Sequence, residues 1–149
     1  PAQLRDFSWW SGLSSRDAGA GLELIREEGE RTLIDGKTYF SLPDDDIVIP
    51  EPPVALLLSI YDEYAIAYAD RSAISEAREI ERMIIQGNAT TAVIVLHGKV
   101  AGTWKRRVKK DSIEIRLNPL RELTDEEQEA VEREVQRYGR FFGRKAEVV

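Results

Sequence analysis

The sequence predicts an α+β fold, with two helices and a hairpin in its first part and a small antiparallel β-barrel or half-barrel, closed by a C-terminal helix, in its second. Two observations predict this fold. Apolar residues recur at helical spacing near both ends of the chain, whereas the middle holds β-prone runs joined by short glycine turns. Between the two parts lies PDDDIVIPEPP, whose four prolines disfavour regular structure and indicate a linker.

The first part is predicted to contain a helix, a second helix and a hairpin. LRDFSWWSGL has apolar residues at positions 4, 7, 10 and 13, and SSRDAGAGLELIREEG begins with a serine suited to capping a helix. Two β-prone runs, at 31–34 and 37–42, flank an Asp-Gly pair that favours a hairpin turn. This order matches the rear of a winged helix-turn-helix. We therefore predict a partial winged helix over residues 1–43, with the first helix of that motif upstream of Pro1.

The second part follows the predicted linker at residues 44–53 and extends over 54–149. A buried strand starting at 54 is expected to run into IYDEYAIAYADRSAI, and a short helix is expected in SEAREIERMI, with Ser75 as its N-cap. Three strands should follow at 90–96, 100–108 and 112–117, joined at His-Gly and Lys-Asp turns. TDEEQEAVEREVQRYGRFFG then predicts a helix that starts with a capping box of Thr124 and Glu127.

Composition excludes several classes of site. The chain has 149 residues, no cysteine and one histidine, so disulfides, thiolate metal ligands and cysteine nucleophiles are excluded. We expect no metal and no cofactor, because a zinc site would need carboxylates almost alone. No apolar run approaches the length of a membrane helix, and PAQLRDFSWW lacks the pattern of a signal peptide. These observations predict a cytoplasmic protein without a membrane partner.

Charge is distributed unevenly along the chain. The net charge is −6, yet residues 99–121 carry 8 Lys or Arg against 2 Asp or Glu, a net of +6, and the remainder carries 13 against 25, a net of −12. In a strand, Lys105, Arg107 and Lys109 would share one face, with Trp104 and Arg106 on the other. Such a row is suited to a nucleic-acid backbone, although a solvated face that offsets the acidic remainder is the alternative. The predicted phosphate contacts are Lys105, Arg106, Arg107, Lys109 and Lys110, with Arg31 and Lys37 of the hairpin.

Three carboxylates lie in an apolar, tyrosine-rich stretch, a setting that favours acid–base chemistry if the carboxylates are desolvated. They are Asp62, Glu63 and Asp70. Along a continuous strand, Asp62 and Asp70 would stand roughly 27 Å apart, too far for a catalytic pair unless the chain folds back between them. We therefore favour a structural interpretation, in which Asp62 caps a turn and Asp70 pairs with Arg71 or a backbone amide.

Four motifs, taken in order, carry a family resemblance. LRDFSWWSGLSSRDA, YDEYAIAYADRSAI, VLHGKVAGTWKR and VQRYGRFFG resemble the bacterial winged-helix DNA-binding-domain family that includes the crosslink-repair DNA glycosylases. The resemblance extends over residues 6–143 and implies tandem winged helices followed by a C-terminal β-barrel, of which this chain matches the C-terminal part. The family elements expected to be structural are Asp62, Glu63, Tyr64, Asp70, Arg71, Ser72, Gly102 and Trp104.

The resemblance also implies where catalysis would lie. Glycosylase members carry a Gln-x-Gln or Gln-x-Asp element in their N-terminal portion, and Gln3, Gln86, Gln128 and Gln136 do not form that pattern. We therefore expect a non-enzymatic module that binds double-stranded DNA. We also expect the chain to be either one part of a longer protein or a subunit of a homo-oligomer. Two alternatives stay open: self-assembly through apolar helix faces near Phe7, Trp10 and Leu22, and an N-glycosidic hydrolase that uses the three carboxylates.

Overall fold

The computed structural model describes residues 1–43, 51, 54–75 and 92–149, and it divides the chain into two compact units. Unit 1 comprises Pro1–Ile49 and Glu63–Arg71, and unit 2 comprises Pro50–Asp62 and Ser72–Val149. The predicted domain boundaries at residues 43 and 54 stay predictions. Most of the predicted linker, and the predicted helix after Ser75, lie outside the described residues. Within the described residues, no helix has the length and apolar character needed to cross a bilayer.

Unit 1 contains the two helices and the hairpin expected from local sequence signals. Helix α1 (Leu4–Ser11) ends at Gly12, whose φ of 73° is left-handed, and helix α2 (Ser15–Leu24) starts after the N-cap Ser14. The second helix is shorter than predicted, and turns occupy residues 25–28. Strands β1 (Glu30–Ile34) and β2 (Lys37–Ser41) form an antiparallel hairpin. Its turn has positive φ at both central residues, 50° and 73°, as the Asp-Gly pair predicts.

The tyrosine-rich stretch does not continue the strand before it, which corrects the sequence prediction. Strand β3 (Ala55–Leu58) ends early, Tyr61 adopts a φ of 59°, and a one-turn helix α3 (Glu63–Ile66) follows. The separation expected for a continuous strand therefore does not apply. Asp62 belongs to unit 2, whereas Glu63 and Asp70 belong to unit 1.

Unit 2 is a curled half-barrel sheet with a C-terminal helix. The predicted meander is confirmed as β4 (Ala92–Leu96), β5 (Lys99–Val108) and β6 (Ser112–Pro119). Helix α4 (Asp125–Phe141) begins with the predicted capping box, and β7 (Lys145–Val148) follows it. The sheet order is β3-β4-β5-β6-β7.

The expectation of a purely antiparallel sheet is wrong at one edge. Strand β7 pairs with β6 in parallel, whereas the other pairings are antiparallel. A parallel pair needs a crossover connection, and α4 supplies it between the two strands. The sequence patterns had predicted no strand in the last residues.

The core of unit 2 lies between the sheet and α4. Ile94, Ile113 and Ile115 from the strands pack with Val131 and Val135 from the helix, and all five are buried. Each such side chain contributes roughly 1.5–3 kcal/mol on burial. This core fixes the sheet, and therefore determines which strand residues face solvent.

Candidate nucleic-acid interface

The alternation predicted for β5 holds between Trp104 and Lys105, whereas the four residues from 105 to 108 are all exposed. Trp104 points into the core, is 5% exposed and donates its indole N–H to the Leu58 carbonyl oxygen at 2.9 Å. Lys105 and Arg107 have the opposite parity and are exposed. Trp104 is therefore part of the core, and it does not provide an exposed ring beside the cations.

Strand β6 adds a cation that the sequence patterns did not reveal. In the β5–β6 register, Lys105 lies opposite Arg116, and Arg107 lies opposite Glu114. Directly opposed residues share a sheet face, so Arg116 extends the row onto a second strand. The position of the predicted turn at residues 110–111 could have identified Arg116, because a hairpin centred on that turn pairs residue 105 with residue 116. We call Lys105, Arg107, Lys109 and Arg116 the cationic face.

Only part of the cationic face is neutralised by internal ion pairs. Lys109 donates to Glu114, and this hydrogen bond is the largest cause that holds the pKa of the Glu114 carboxyl below its ordinary value. Within the part of the chain that the structure describes, no carboxylate lies in ion-pair distance of Lys105, Arg107 or Arg116. Lys105, Arg107 and Arg116 are therefore exposed on one sheet surface without a direct ion pair among the described residues, although the charges of Arg107 and Arg116 also help to lower the pKa of Glu114.

Arg106 points to the other side of the sheet, where α4 packs. It donates to the Tyr138 hydroxyl, and its guanidinium carbon lies 5.9 Å from the Tyr138 ring centroid and 5.3 Å from that of Phe142. These are cation–π distances. Arg106 is thus held by aromatic rings, in a different setting from its neighbours on β5. Its predicted phosphate contact, like that of the exposed Lys110, stays a prediction.

The hairpin cations of unit 1 both have internal partners. Arg31 lies 3.3 Å from a Glu23 carboxylate oxygen, and its guanidinium carbon lies 5.3 Å from the Phe40 ring centroid. Lys37 Nζ lies 2.6 Å from Asp70 Oδ2, and this hydrogen bond is the main cause of a raised pKa of the lysine. Their predicted contact with DNA would therefore compete with these pairs.

The Asp70 carboxylate forms ion pairs with two cations of unit 1. Besides Lys37, it receives Arg5 Nη2 at 2.9 Å, and neither of these two partners was predicted from the sequence. The backbone N–H groups of Asp70 and Ala69 both donate to Asp6 Oδ1 at 3.1 Å. These contacts connect α1, the hairpin and the segment that follows α3.

The other family-motif residues of unit 1 are also engaged in local contacts. Arg71 is buried, donates to the carbonyl oxygens of Ala65 at 2.8 Å and Ile66 at 3.3 Å, and lies over the Trp9 ring. Glu63 accepts from the Trp10 indole at 3.2 Å. Burial raises the pKa of the Tyr64 hydroxyl. Arg71 and Glu63 are therefore held by contacts within unit 1.

Four motif residues, Asp62, Ser72, Gly102 and Trp104, belong to unit 2. Gly102 lies where β5 meets the end of β6, and a Cβ added there would be 2.6 Å from the Asn118 carbonyl oxygen. Ser72 is exposed. Across the described segments, no three metal-ligating side chains of the His, Cys, Asp or Glu type come together.

Comparison with known proteins gives two matches. A family model described as DNA glycosylase AlkZ-like matches residues 1–141. Among solved structures, the chain is similar to Streptomyces sahachiroi DNA glycosylase AlkZ, with a TM-score of 0.71 and 21% sequence identity. That match covers 100% of this chain and 42% of the AlkZ chain, so the likeness shows a shared fold over less than half of AlkZ. A search of curated proteins finds no match.

Proposed function

Because the chain belongs to the AlkZ-like DNA glycosylase family, we propose that it is a DNA-binding module associated with DNA repair. The observation that carries this proposal is the cationic face, on which Lys105, Arg107 and Arg116 are exposed. Cations arranged along a strand can hold successive phosphates of a nucleic-acid backbone. Such contacts position a protein on DNA and carry little sequence information.

The charge distribution supports one localised contact surface. The net charge of −6 repels a phosphate backbone in general, whereas residues 99–121 have a net of +6, from 8 Lys or Arg against 2 Asp or Glu. DNA should therefore approach this segment and avoid the acidic remainder. Lys110 lies at the end of the same hairpin and belongs to the proposed contact surface, with Arg106, Arg31 and Lys37 as secondary contacts.

The proposal includes a finer assignment of the fold. Unit 1, with α1, α2 and the hairpin, would be the rear of a winged helix-turn-helix, and residues 44–53 would link it to the barrel-like domain at 54–149. The order of its helices and hairpin supports this assignment. A cytoplasmic location is part of the same proposal, since the module must reach DNA.

We further propose that this chain does not itself cleave a glycosidic bond. Its four glutamines do not form the Gln-x-Gln or Gln-x-Asp pattern of the resembling glycosylases. Asp70 and Glu63 are engaged by Lys37 and Trp10, respectively. An enzyme using Asp62, Glu63 or Asp70 would show turnover on alkylated DNA that disappears in Asp62→Asn. We expect no turnover before or after that change.

The test is duplex binding as a function of salt. We expect the wild-type chain to bind a short labelled duplex with an affinity that falls steeply with salt. Lys105/Arg107/Lys109→Ala should reduce the slope of log K against log salt by about 0.9 for each phosphate that is no longer neutralised. The matched control is Arg26/Arg133/Lys145→Ala, which removes the same charge from exposed positions outside the cationic face. Equal effects of the two triple changes would make the cationic face a solubilising surface only.

Self-association is a second candidate function, favoured by the exposed apolar side chains of unit 1. Phe7, Trp10 and Leu24 are 43%, 61% and 87% exposed, and Leu22 is half-buried. Exposed apolar area of this kind marks partner surfaces. Sedimentation equilibrium at micromolar concentration would give a dimer mass that Trp10→Ser lowers. The mass of a single chain would contradict this candidate.

A further inference from the structure

The end of α4 exposes two adjacent aromatic side chains. Phe141 is 84% exposed and Phe142 is 39% exposed, although the same unit has a core of buried apolar side chains. Placing a phenylalanine ring in water forfeits the free energy that its burial would contribute. The DNA contacts proposed above do not use either ring, so their exposure needs a separate explanation.

The two rings are supported by a continuous series of aromatic contacts. Trp104 in the core meets Tyr138 edge to face at a centroid distance of 5.3 Å, and Tyr138 meets Phe142 at 5.0 Å. Phe142 in turn meets Phe141 edge to face at 5.2 Å. Such geometries are favourable for aromatic pairs. Contacts with the core therefore fix the position of Phe142. Phe142 in turn contacts the ring of Phe141, whose other sides face solvent.

Cations surround this end of the helix. The guanidinium of Arg106 lies over the rings of Tyr138 and Phe142, and a cavity of about 510 Å³ is lined by Arg137, Tyr138, Arg140 and Phe141. Arg137 is paired with Glu134, whereas no ion pair of Arg140 is found among the described side chains. The lining therefore combines aromatic rings with positive charge.

The same end of the sheet carries the last residues of the cationic face. Arg144, which follows α4, donates to the Lys109 carbonyl oxygen at 3.1 Å. The arginine-rich end of α4 thus adjoins the β5–β6 turn, although Arg106 and the cationic face point to opposite sides of the sheet. A nucleic-acid strand bound at this turn would therefore lie beside the arginine-rich end of α4.

We propose that Arg106, Arg140, Phe141 and Phe142, the α4 patch, bind unpaired nucleotides of single-stranded DNA, with a base stacked on Phe141. The inference rests on the proposed DNA binding and deepens it by naming the DNA form. A nucleotide matches both features of the patch, because its base has a π-face and its phosphate is anionic. An apolar protein segment would match the rings but would desolvate the arginine charges without compensation.

The test measures the affinity for two DNA probes before and after the Phe141 ring is changed. Fluorescence anisotropy is measured with labelled oligo-dT of roughly 15 nucleotides, within the site sizes of single-strand binders, and with a duplex of equal length. Phe141→Ala should weaken oligo-dT binding by at least roughly fivefold and duplex binding by less than about twofold. Phe141→Trp, which keeps a stacking surface, should retain oligo-dT binding. Leu42→Ala, at a residue that is 61% exposed and has no proposed binding role, is the matched control and should change neither.

Each outcome separates the α4 patch from the DNA binding proposed above. Wild-type binding to the duplex without binding to oligo-dT overturns this inference and leaves the proposed function standing. Oligo-dT binding that Phe141→Ala leaves unchanged, or a fall in affinity for both probes alike, also overturns it. Binding to neither probe overturns both. Because Phe141 is almost fully solvated, its removal should leave the unfolding midpoint within error of wild type, which is checked first.

Discussion

Lys105 and Arg116 lie directly opposite each other on β5 and β6, on the exposed side of the sheet. Like charges in opposed positions destabilise a sheet. If these two positions contributed only to stability, one of them would be expected to carry an acidic residue. The same strands show such a pair, since Glu114 lies opposite Arg107. The arrangement is therefore easier to explain as a surface that binds an anion.

This pair predicts opposite effects on stability and on DNA binding when Arg116 is changed to Glu. The substitution replaces a repulsive cross-strand pair with an attractive one, so the free energy of unfolding should rise by about 0.2–1 kcal/mol. DNA affinity should fall, and the salt slope should decrease by about 0.9 or more. Urea unfolding and anisotropy measure the two quantities. Arg133→Glu on α4 is the control, and it should leave DNA binding unchanged. A lower stability of Arg116→Glu would contradict the argument.

Gly102 and Gly21 predict opposite responses to alanine. A Cβ at Gly102 would be 2.6 Å from the Asn118 carbonyl oxygen and 2.7 Å from Pro119 Cα, both backbone atoms, so β5 and β6 must separate. Gly102→Ala should cost roughly 1–3 kcal/mol. At Gly21 in α2 nothing lies within 4 Å, so alanine should stabilise the helix by about 0.5–1 kcal/mol. Thermal unfolding followed by circular dichroism should show a fall and a rise in the midpoint, and shifts of the same sign would refute the steric explanation.

Asp6 predicts a large loss of stability within unit 1. The residue is 2% exposed and accepts three backbone N–H groups, from Gln3 at 3.0 Å and from Ala69 and Asp70 at 3.1 Å. Asp6→Ala leaves these donors unsatisfied and should cost roughly 2–4 kcal/mol. Asp17→Ala, an exposed first-turn aspartate of α2, is the control and should cost less than about 1 kcal/mol. Chemical denaturation of both variants checks this, and equal losses would reject a special role for Asp6.

The features that the sequence predicted well depend on neighbours along the chain. The Asp35-Gly36 and His97-Gly98 pairs have the positive φ values that tight hairpins require, and Thr124 with Glu127 closes a capping box within four residues. In each case the residues that decide the conformation are adjacent, or one helical turn apart. Intrinsic propensity was therefore sufficient to locate these elements.

The features that the sequence did not predict depend on distant parts of the chain. Asp70 meets Lys37, 33 positions away, and Arg116 became part of the cationic face only through the β5–β6 register. Strand β7 has four residues and pairs in parallel only because α4 returns the chain to the edge of β6. Nothing local to these residues encodes such partners.

Glu127 predicts how the stability of unit 2 depends on pH. Its buried carboxylate accepts two hydrogen bonds from Arg121 at 2.7 Å and one from the Thr124 backbone at 3.0 Å. These bonds, with Arg121 first, lower the pKa of Glu127 to about 2. In the unfolded chain a glutamate has a pKa of about 4.3. A lowered pKa means that the folded carboxylate stabilises the protein fully above the unfolded value, and that this contribution disappears as pH falls toward 2.

Glu127→Gln tests that dependence. At pH 7 the variant should be less stable than wild type by roughly 1.5–3 kcal/mol, because it cannot form the charge-assisted bonds to Arg121. The difference should shrink between about pH 4 and pH 2, where the wild-type carboxylate is protonated in the unfolded state. Glu129→Gln changes a residue that is 74% exposed on the same helix, and its free energy of unfolding should vary with pH as that of the wild type does. Urea unfolding at several pH values measures the curves. A difference between Glu127→Gln and wild type that stays constant down to pH 2 would mean that the Arg121 pair contributes no proton-linked stability.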